Sequence, residues 1–474
     1  MRERMDRVAI IGAGPAGLTA AWELTEHDCP VTVLEAHPRT VGGLARTVRY
    51  KDFLLDVGGH RFFSKSPEIE ALWTRMLPDD LLLRPRKSRI YFAGRLLAYP
   101  LKPLDVFARL GAFEAAACTA SYLKARVAPA AKANDYRAWI VDRFGERLYR
   151  HFFETYTEKV WGMPCHELSA DWAAQRIRTF SLGKAILNAL PGAPRRGRET
   201  TLVDSFRYPR QGPGMLWEAC AATLQARGTP ILMGARVERV ERLGTGGYRI
   251  RHKGCEGEAS SLEAAHVVTS APLADLVRAL VPVPSPEVIG AARGLHYRAL
   301  VLVALFALDP RTFTDTWLYA QDASIHMGRV QNYKAWSPEM VPDPDLIALG
   351  CEYFCSEGDA CWNTSDRALI VRARSELDRM GLLPQENVFD ACVIRQPKAY
   401  PVYDRCYASR VERVMSALRR DFPGLYLVGR NGMHRYNNQD HSMMTALLTA
   451  RNILAGKARF DVRRVGQDAE YLEA

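Results

Sequence analysis

An α/β architecture of three interleaved parts is predicted for this 474-residue chain by three observations. An apolar run, Val8 to Ile11, leads into Gly12-x-Gly14-x-x-Gly17 and a stretch of helical periodicity. From Pro103 to Leu190 the composition is dominated by Ala, Leu, Arg and Glu with few β-branched runs, which favours helix. From Tyr297 to Tyr403, apolar and aromatic runs such as "YRALVLVALFAL" and "IALGCEYFC" alternate with turns, which predicts an antiparallel sheet.

The opening motif is the most specific of these signals. Val8–Ile11 has the look of a buried parallel strand. Gly12 permits a tight turn, Gly14 lets the backbone approach a pyrophosphate, and Gly17 lets the helix pack on the strand. The helix N-terminus supplies the positive end of a dipole. "VTVLEA" is a second strand ending in Glu35, eighteen residues after Gly17, where a carboxylate can accept ribose hydroxyls. A late strand (Leu425 to Val428), a glycine turn (Gly429 to Gly432) and a helix from Ser442 return the chain to this domain, and "AAHVVTSAPLADLVRAL" adds another strand–turn–helix. The prediction is a Rossmann-like nucleotide-binding domain over residues 1–95, 200–290 and 420–460, an inserted helical lobe over 103–190, and an antiparallel sheet over 297–403 as the substrate domain. "LPGAPRRGRET" is read as a loop at the lobe's exit and "GQDAEYLEA" as a frayed tail.

The totals narrow the function classes. With 64 Lys+Arg against 53 Asp+Glu the formal charge is +11, spread along the chain, which suits a solvated surface or phosphorylated ligands. No nucleic-acid reading motif accompanies it. The ten cysteines follow no zinc spacing, so no metal is expected. The longest apolar runs, such as Val301 to Leu308, are far too short to span a membrane, and no signal peptide precedes the first strand. A cytoplasmic enzyme with a small-molecule substrate is expected.

After Glu35 comes "AHPRTVGGLARTVRY", in which Gly42, Gly43 and Arg46 resemble the glycine-pair segment of glutathione-reductase-like and amine-oxidase-like FAD enzymes. That resemblance implies FAD, with Gly43 and Arg46 toward its phosphates and ribityl chain. Further segments resemble UDP-galactopyranose mutase, within the wider amine-oxidase and protoporphyrinogen-oxidase superfamily. They are "DVGGHRFF" (Gly58, Gly59, His60), "YTEKVWG" (Tyr156, Thr157, Lys159, Trp161, Gly162), "YPRQG" (Tyr208, Pro209, Gly212), "GLHYRAL" (Arg298), "AYPV" (Tyr400) and "GRNGMHRY" (Gly429, Arg430, Tyr436). The resemblance places Gly59 and His60 against the flavin and Gly429, Arg430, Ser442 and Met443 in the returning segment. It places Tyr156, Trp161, Arg298 and the hydroxyls of Tyr400 and Tyr436 at the substrate, with Arg298 on its diphosphate. Apart from the resemblance, Arg176 and Arg178 are candidates for a second phosphate contact or ordinary helix-surface arginines, and Asn438 is a candidate substrate contact. The chain departs from the pattern after Tyr436: "NNQDHS" puts Asn438 where an acidic residue is expected and adds Asp440 and His441.

Several of these residues have a plainer reading. His60 either orients a group near the flavin or packs and caps. Trp161 either stacks on a base or fills a core. Arg298, inside an apolar strand, either pairs with a carboxylate or awaits a phosphate. "NNQDHS" either contacts substrate, with Asp440 or His441 as a base, or caps the helix that follows. Two functions remain open. The first is a mutase-like enzyme on a nucleotide-linked or other glycosyl substrate, using reduced flavin and an external reductant. The second is an FAD-dependent oxidoreductase of amine-oxidase or protoporphyrinogen-oxidase type, acting on a sugar alcohol, amine or C–C bond.

Overall fold

The computed structural model describes residues 8–99, 111–127, 134–177 and 205–466. Val8–Ile11 is the central strand of a five-stranded, all-parallel sheet in the order Leu425–Leu427, His266–Thr269, Val8–Ile11, Val31–Glu35, Ile231–Met233. Its side chains alternate between two cores, as the period of a strand requires. Val8 and Ile10 join one core with the helices Pro15–Thr25, Gly214–Ala226 and Gln439–Leu454. Ala9 and Ile11 join the other, with Leu273–Ala279, Pro286–Arg293 and Tyr407–Asp421. The nucleotide-binding sheet therefore does draw on both ends and the middle of the chain.

The second large sheet has seven strands in the order Val388–Pro401, Tyr297–Leu308, Leu346–Cys355, Arg329–Asn332, Trp317–Ala320, Ser88–Phe92, Arg95–Ala98. In Tyr297–Leu308 every residue from Arg298 to Ala307 is buried, which explains its unbroken apolar run: both faces are covered. Two features correct the expectation. Ser88–Phe92 and Arg95–Ala98 belong to this sheet and not to the nucleotide-binding part, and Ser88–Phe92 pairs in parallel with Trp317–Ala320, so the sheet is mixed. That pairing joins residues over two hundred positions apart, which local composition cannot announce.

The described part of the lobe is helical: Ala112–Val127, Tyr136–Phe144, Glu146–Tyr149, Thr155–Trp161 and Ala170–Ile177. Asp135 caps Tyr136–Phe144 by accepting from the Ala138 N–H at 2.8 Å. Glu114, Cys118 and His151 bring ligand-type atoms within 4.8 Å of one another. Arg147 donates to both carboxylate oxygens of Glu114 at 2.7 Å, so this is an ion-pair node. The loop read at 190–200 and residues 467–474 of the tail lie outside the described residues.

Candidate active site

A cavity of about 880 Å³ runs along the carboxyl ends of the parallel strands, at the upper end of the range for small-molecule sites. Gly12, Gly14, Glu35, Gly43 and Arg46 line it on one side, and His60, Gly429, Arg430, Asn438 and Ser442 on the other. Gly12 adopts φ +102°, a turn that favours glycine. A Cβ on Gly14 would come no nearer than 3.7 Å to any protein atom, so the protein itself leaves its cavity side open. The Glu35 carboxylate accepts from the Ala13 and His37 backbone N–H groups, both at 2.7 Å, which fixes it at the strand end. Arg46 donates to the Gly43 carbonyl at 2.9 Å and to Gln396 Oε1 at 2.6 Å. A dinucleotide of the FAD type fits this donor set: the glycine backbone would meet the pyrophosphate, Arg46 would stand beside it, and Glu35 would accept from the ribose. Gly17 stands outside the lining. A Cβ there would lie 1.8 Å from the Gly12 carbonyl oxygen, so its role is the close approach of helix and strand.

A second cavity of about 100 Å³ adjoins the first and shares Leu44, His60, Arg430, Asn438 and Gln439 with it. Gly59, Tyr400 and Tyr436 also line it, as do Arg61, Tyr319 and Arg329. Tyr400 and Tyr436 stack at 5.7 Å with 10° between their planes, and the Arg430 guanidinium lies 4.8 Å from the Tyr436 ring centroid. Arg430 is held by the Asn437 and Ala399 carbonyls at 2.8 and 3.2 Å. Burial, with Arg430 nearby, pushes His60 down to about 4, so it is neutral; it is hydrogen-bonded to the Val57 and Leu44 backbones.

Sequence reasoning missed the centre of this cavity. Arg329 donates through Nε to Glu352 Oε2 at 2.9 Å and through Nη2 to the Tyr400 hydroxyl at 3.4 Å. Glu352 is fully buried and also accepts from Gln331 Nε2. Burial opposes the charge on Arg329, but the adjacent Glu352 carboxylate, Tyr400 and Tyr156 together outweigh it and hold the guanidinium protonated. The available signal was Glu352 itself, a single acid within the apolar run "IALGCEYFC".

Other residues expected at the site lie elsewhere. Arg298 lines neither cavity. Its Nε donates to the Val160 carbonyl at 3.0 Å, Nη1 to Ser356 Oγ at 2.7 Å and Nη2 to the Phe354 carbonyl at 3.0 Å. It thus ties the end of the Thr155–Trp161 helix to the sheet, without a carboxylate. Trp161 is 2% exposed and packs edge-on against Trp172 at 4.6 Å, a core position. Tyr156 also stands outside both linings, edge-on to Tyr319 at 5.7 Å. Met443 is in the core, where its Sδ accepts from Trp73 Nε1 at 2.9 Å. "NNQDHS" is a helix start that also reaches the site: Asn438 and Gln439 line both cavities, and Asn437 and Ser442 the larger one. Asn438 is the N-cap of Gln439–Leu454, and His441 Nδ1 reaches back to accept from the Asn438 N–H at 3.4 Å. Asp440 accepts from Ser64 Oγ at 3.2 Å, and neither Asp440 nor His441 lines a cavity. Arg178 lies outside the described residues, and Arg176 is placed only as part of the helix Ala170–Ile177.

Arg298→Ala is therefore expected to lower the melting temperature by the equivalent of at least about 2 kcal/mol, because it strands buried acceptors. Flavin content per folded molecule should stay at the wild-type level. Lysine should restore only part, lacking the fork. A thermal melt with a flavin-to-protein absorbance ratio checks both.

The model of the flavin containing amine oxidoreductase family matches residues 15–454, and the chain belongs to that family. It is a flavoenzyme that binds FAD, with a mixed α/β fold. Among solved structures it is similar to reduced UDP-galactopyranose mutase, at 21% identity and TM-score 0.82 with 96% and 95% of the two chains covered. Putrescine oxidase bound to putrescine aligns at 18% identity and TM-score 0.63, over 95% and 99%. Among curated proteins, coproporphyrinogen III oxidase of Bacillus subtilis is 20% identical over 90% of this chain and 94% of its own. Protoporphyrinogen oxidase 2 of Arabidopsis thaliana is 40% identical over 17% of this chain, and this chain spans only 15% of that protein. No helix among the described residues is long and apolar enough to cross a membrane.

Proposed function

We propose that the chain is a mutase-like FAD enzyme acting on a nucleotide-linked or other glycosyl substrate with an anionic leaving group. The lining of the small cavity carries this reading. It presents Arg61, Arg329, Arg430 and the tyrosines Tyr319, Tyr400 and Tyr436, and no Asp, Glu or Lys among the described lining residues. Such a surface holds and neutralises a departing phosphate and offers no carboxylate base. Bound FAD supplies the covalent or hydride chemistry. The protein binds and orients: Arg329 is fixed by Glu352, Arg430 by two backbone carbonyls and the tyrosine stack, and neutral His60 by its backbone partners.

One observation favours a second reading. Trp161 and Arg298, the residues expected to hold nucleotide and diphosphate, are engaged in packing away from the cavity. An oxidoreductase acting on an anionic substrate without a nucleotide uses the same arginines. Anaerobic incubation with nucleotide sugars, and separately with coproporphyrinogen, under oxidised and dithionite-reduced flavin distinguishes the two. The mutase reading expects turnover only with reduced flavin and a product of unchanged mass. Bleaching of oxidised flavin by substrate, with product lighter by about two mass units for each flavin reduced, would overturn it.

A further inference from the structure

The small cavity holds a set of polar atoms that the reading above does not use. Trp317 and Trp336 line it, stacked at 5.4 Å with 24° between planes, and are 4% and 1% exposed. The Nε1–H of each is buried without a hydrogen-bond partner, and so is Oε1 of the neighbouring Gln331. Two guanidiniums flank the same indole: the Cζ atoms of Arg61 and Arg86 each lie 5.5 Å from the Trp317 ring centroid. Arg86 also stands 5.0 Å from the Tyr99 ring, and its Nε and Nη1 are buried without a partner. The charged and titratable groups acting on Arg86 are Tyr319, Arg61 and Tyr99, with no carboxylate among them.

Cation–π contact with Trp317 and Tyr99 stabilises the Arg86 charge, and a side-chain hydrogen bond with Tyr99 engages one part of the guanidinium, but Nε and Nη1 stay without acceptors. Buried donors without acceptors cost free energy, and a second guanidinium alongside adds repulsion. An oxygen-rich anion in the cavity gives the Trp317 and Trp336 N–H groups an acceptor and offsets the repulsion between the two guanidiniums.

We propose that Trp317, Trp336 and Arg61 form a second anion-binding subsite, which takes a phosphate or carboxylate of the substrate at the Trp317 end of the small cavity, with Arg86, outside the lining, adding its charge from beside the Trp317 ring. Gln331 Oε1, the acceptor among these donors, faces a hydroxyl or protonated oxygen of the same group. The substrate then carries an anionic group besides the one met by Arg329 and Arg430. This rests on the cavity being the substrate's, but holds for either redox outcome.

The test titrates the FAD-loaded enzyme with inorganic phosphate, and separately with acetate, by calorimetry and flavin difference spectroscopy. Saturable binding of at least one anion is expected, weakened tenfold or more in Arg61→Met and severalfold in Trp317→Phe, which keeps an aromatic ring and loses the N–H. Arg61→Lys, retaining the charge, should fall between wild type and Arg61→Met and so separates lost binding from lost fold. The tighter anion identifies the group as tetrahedral or planar. Absence of binding to wild type, or equal binding by Arg61→Met, overturns the subsite and leaves the redox test of the enzyme class standing. Binding that depends on Arg61 but leaves the flavin spectrum unmoved supports the subsite and overturns the placement of this cavity at the flavin.

Discussion

Gly14→Val is expected to yield a folded, colourless protein, and Gly17→Val an unfolded one. The two glycines belong to one motif, yet the space around them differs. At Gly14, with the nearest protein atom 3.7 Å from a built Cβ, a side chain meets only ordinary contacts and projects where the cavity needs backbone against pyrophosphate. Its cost falls on the cofactor. At Gly17 a Cβ sits 1.8 Å from the Gly12 carbonyl oxygen and 3.2 Å from Ile10 Cγ2, so the first turn and first strand must separate. That exceeds ordinary overpacking, about 1–3 kcal/mol, at the centre of the parallel sheet. Gly14→Val should melt with the FAD-stripped wild type, since it loses only the stabilisation that binding contributes. Gly17→Val should melt below both or fail to accumulate. Full flavin content in a folded Gly14→Val protein would show that the pyrophosphate lies elsewhere.

That contrast also shows where sequence reasoning succeeds. Strand, glycine turn and helix are set by local sterics within about thirty residues, so the motif, the acid at Glu35 and the cofactor class were readable. The alternation of Val8 and Ile10 against Ala9 and Ile11 gives the same strand two buried faces. The substrate side was less readable because its residues meet only across the seven-stranded sheet. Arg298 and Arg329 both sit in strands flanked by apolar residues, and nothing local says which one lines the cavity. Their neighbours decide it: Arg298 lies among carbonyls and Ser356, whereas Arg329 stands in register with Glu352 on the adjoining strand. "NNQDHS" was legible in part: Asn438, Gln439 and Ser442 do line the cavities, whereas His441 turns back to the Asn438 N–H in the first turn of a helix and Asp440 turns to Ser64, so neither candidate base lines them.

Glu352→Leu is expected to be the most damaging single change in the substrate part of the molecule. It leaves Arg329, whose side chain is only 17% exposed, without the carboxylate that compensates its charge, at a cost of about 3–5 kcal/mol. It also frees Gln331 Nε2, so a second buried donor is stranded. Arg329→Met at the other end leaves Glu352 buried and charged, with a similar penalty. The pair Glu352→Leu with Arg329→Met removes both charges and should recover much of the stability lost in either single variant. Activity separates the roles. If Arg329 meets an anionic substrate group, the double variant should regain its melting temperature and FAD but not its turnover, because the cavity then lacks the guanidinium that Glu352 holds in place. Thermal melts, flavin content and kcat/KM on the three variants read the outcome. A double variant that recovered turnover along with stability would make the pair a structural feature of the sheet and leave Arg61 and Arg430 as the cavity's cations.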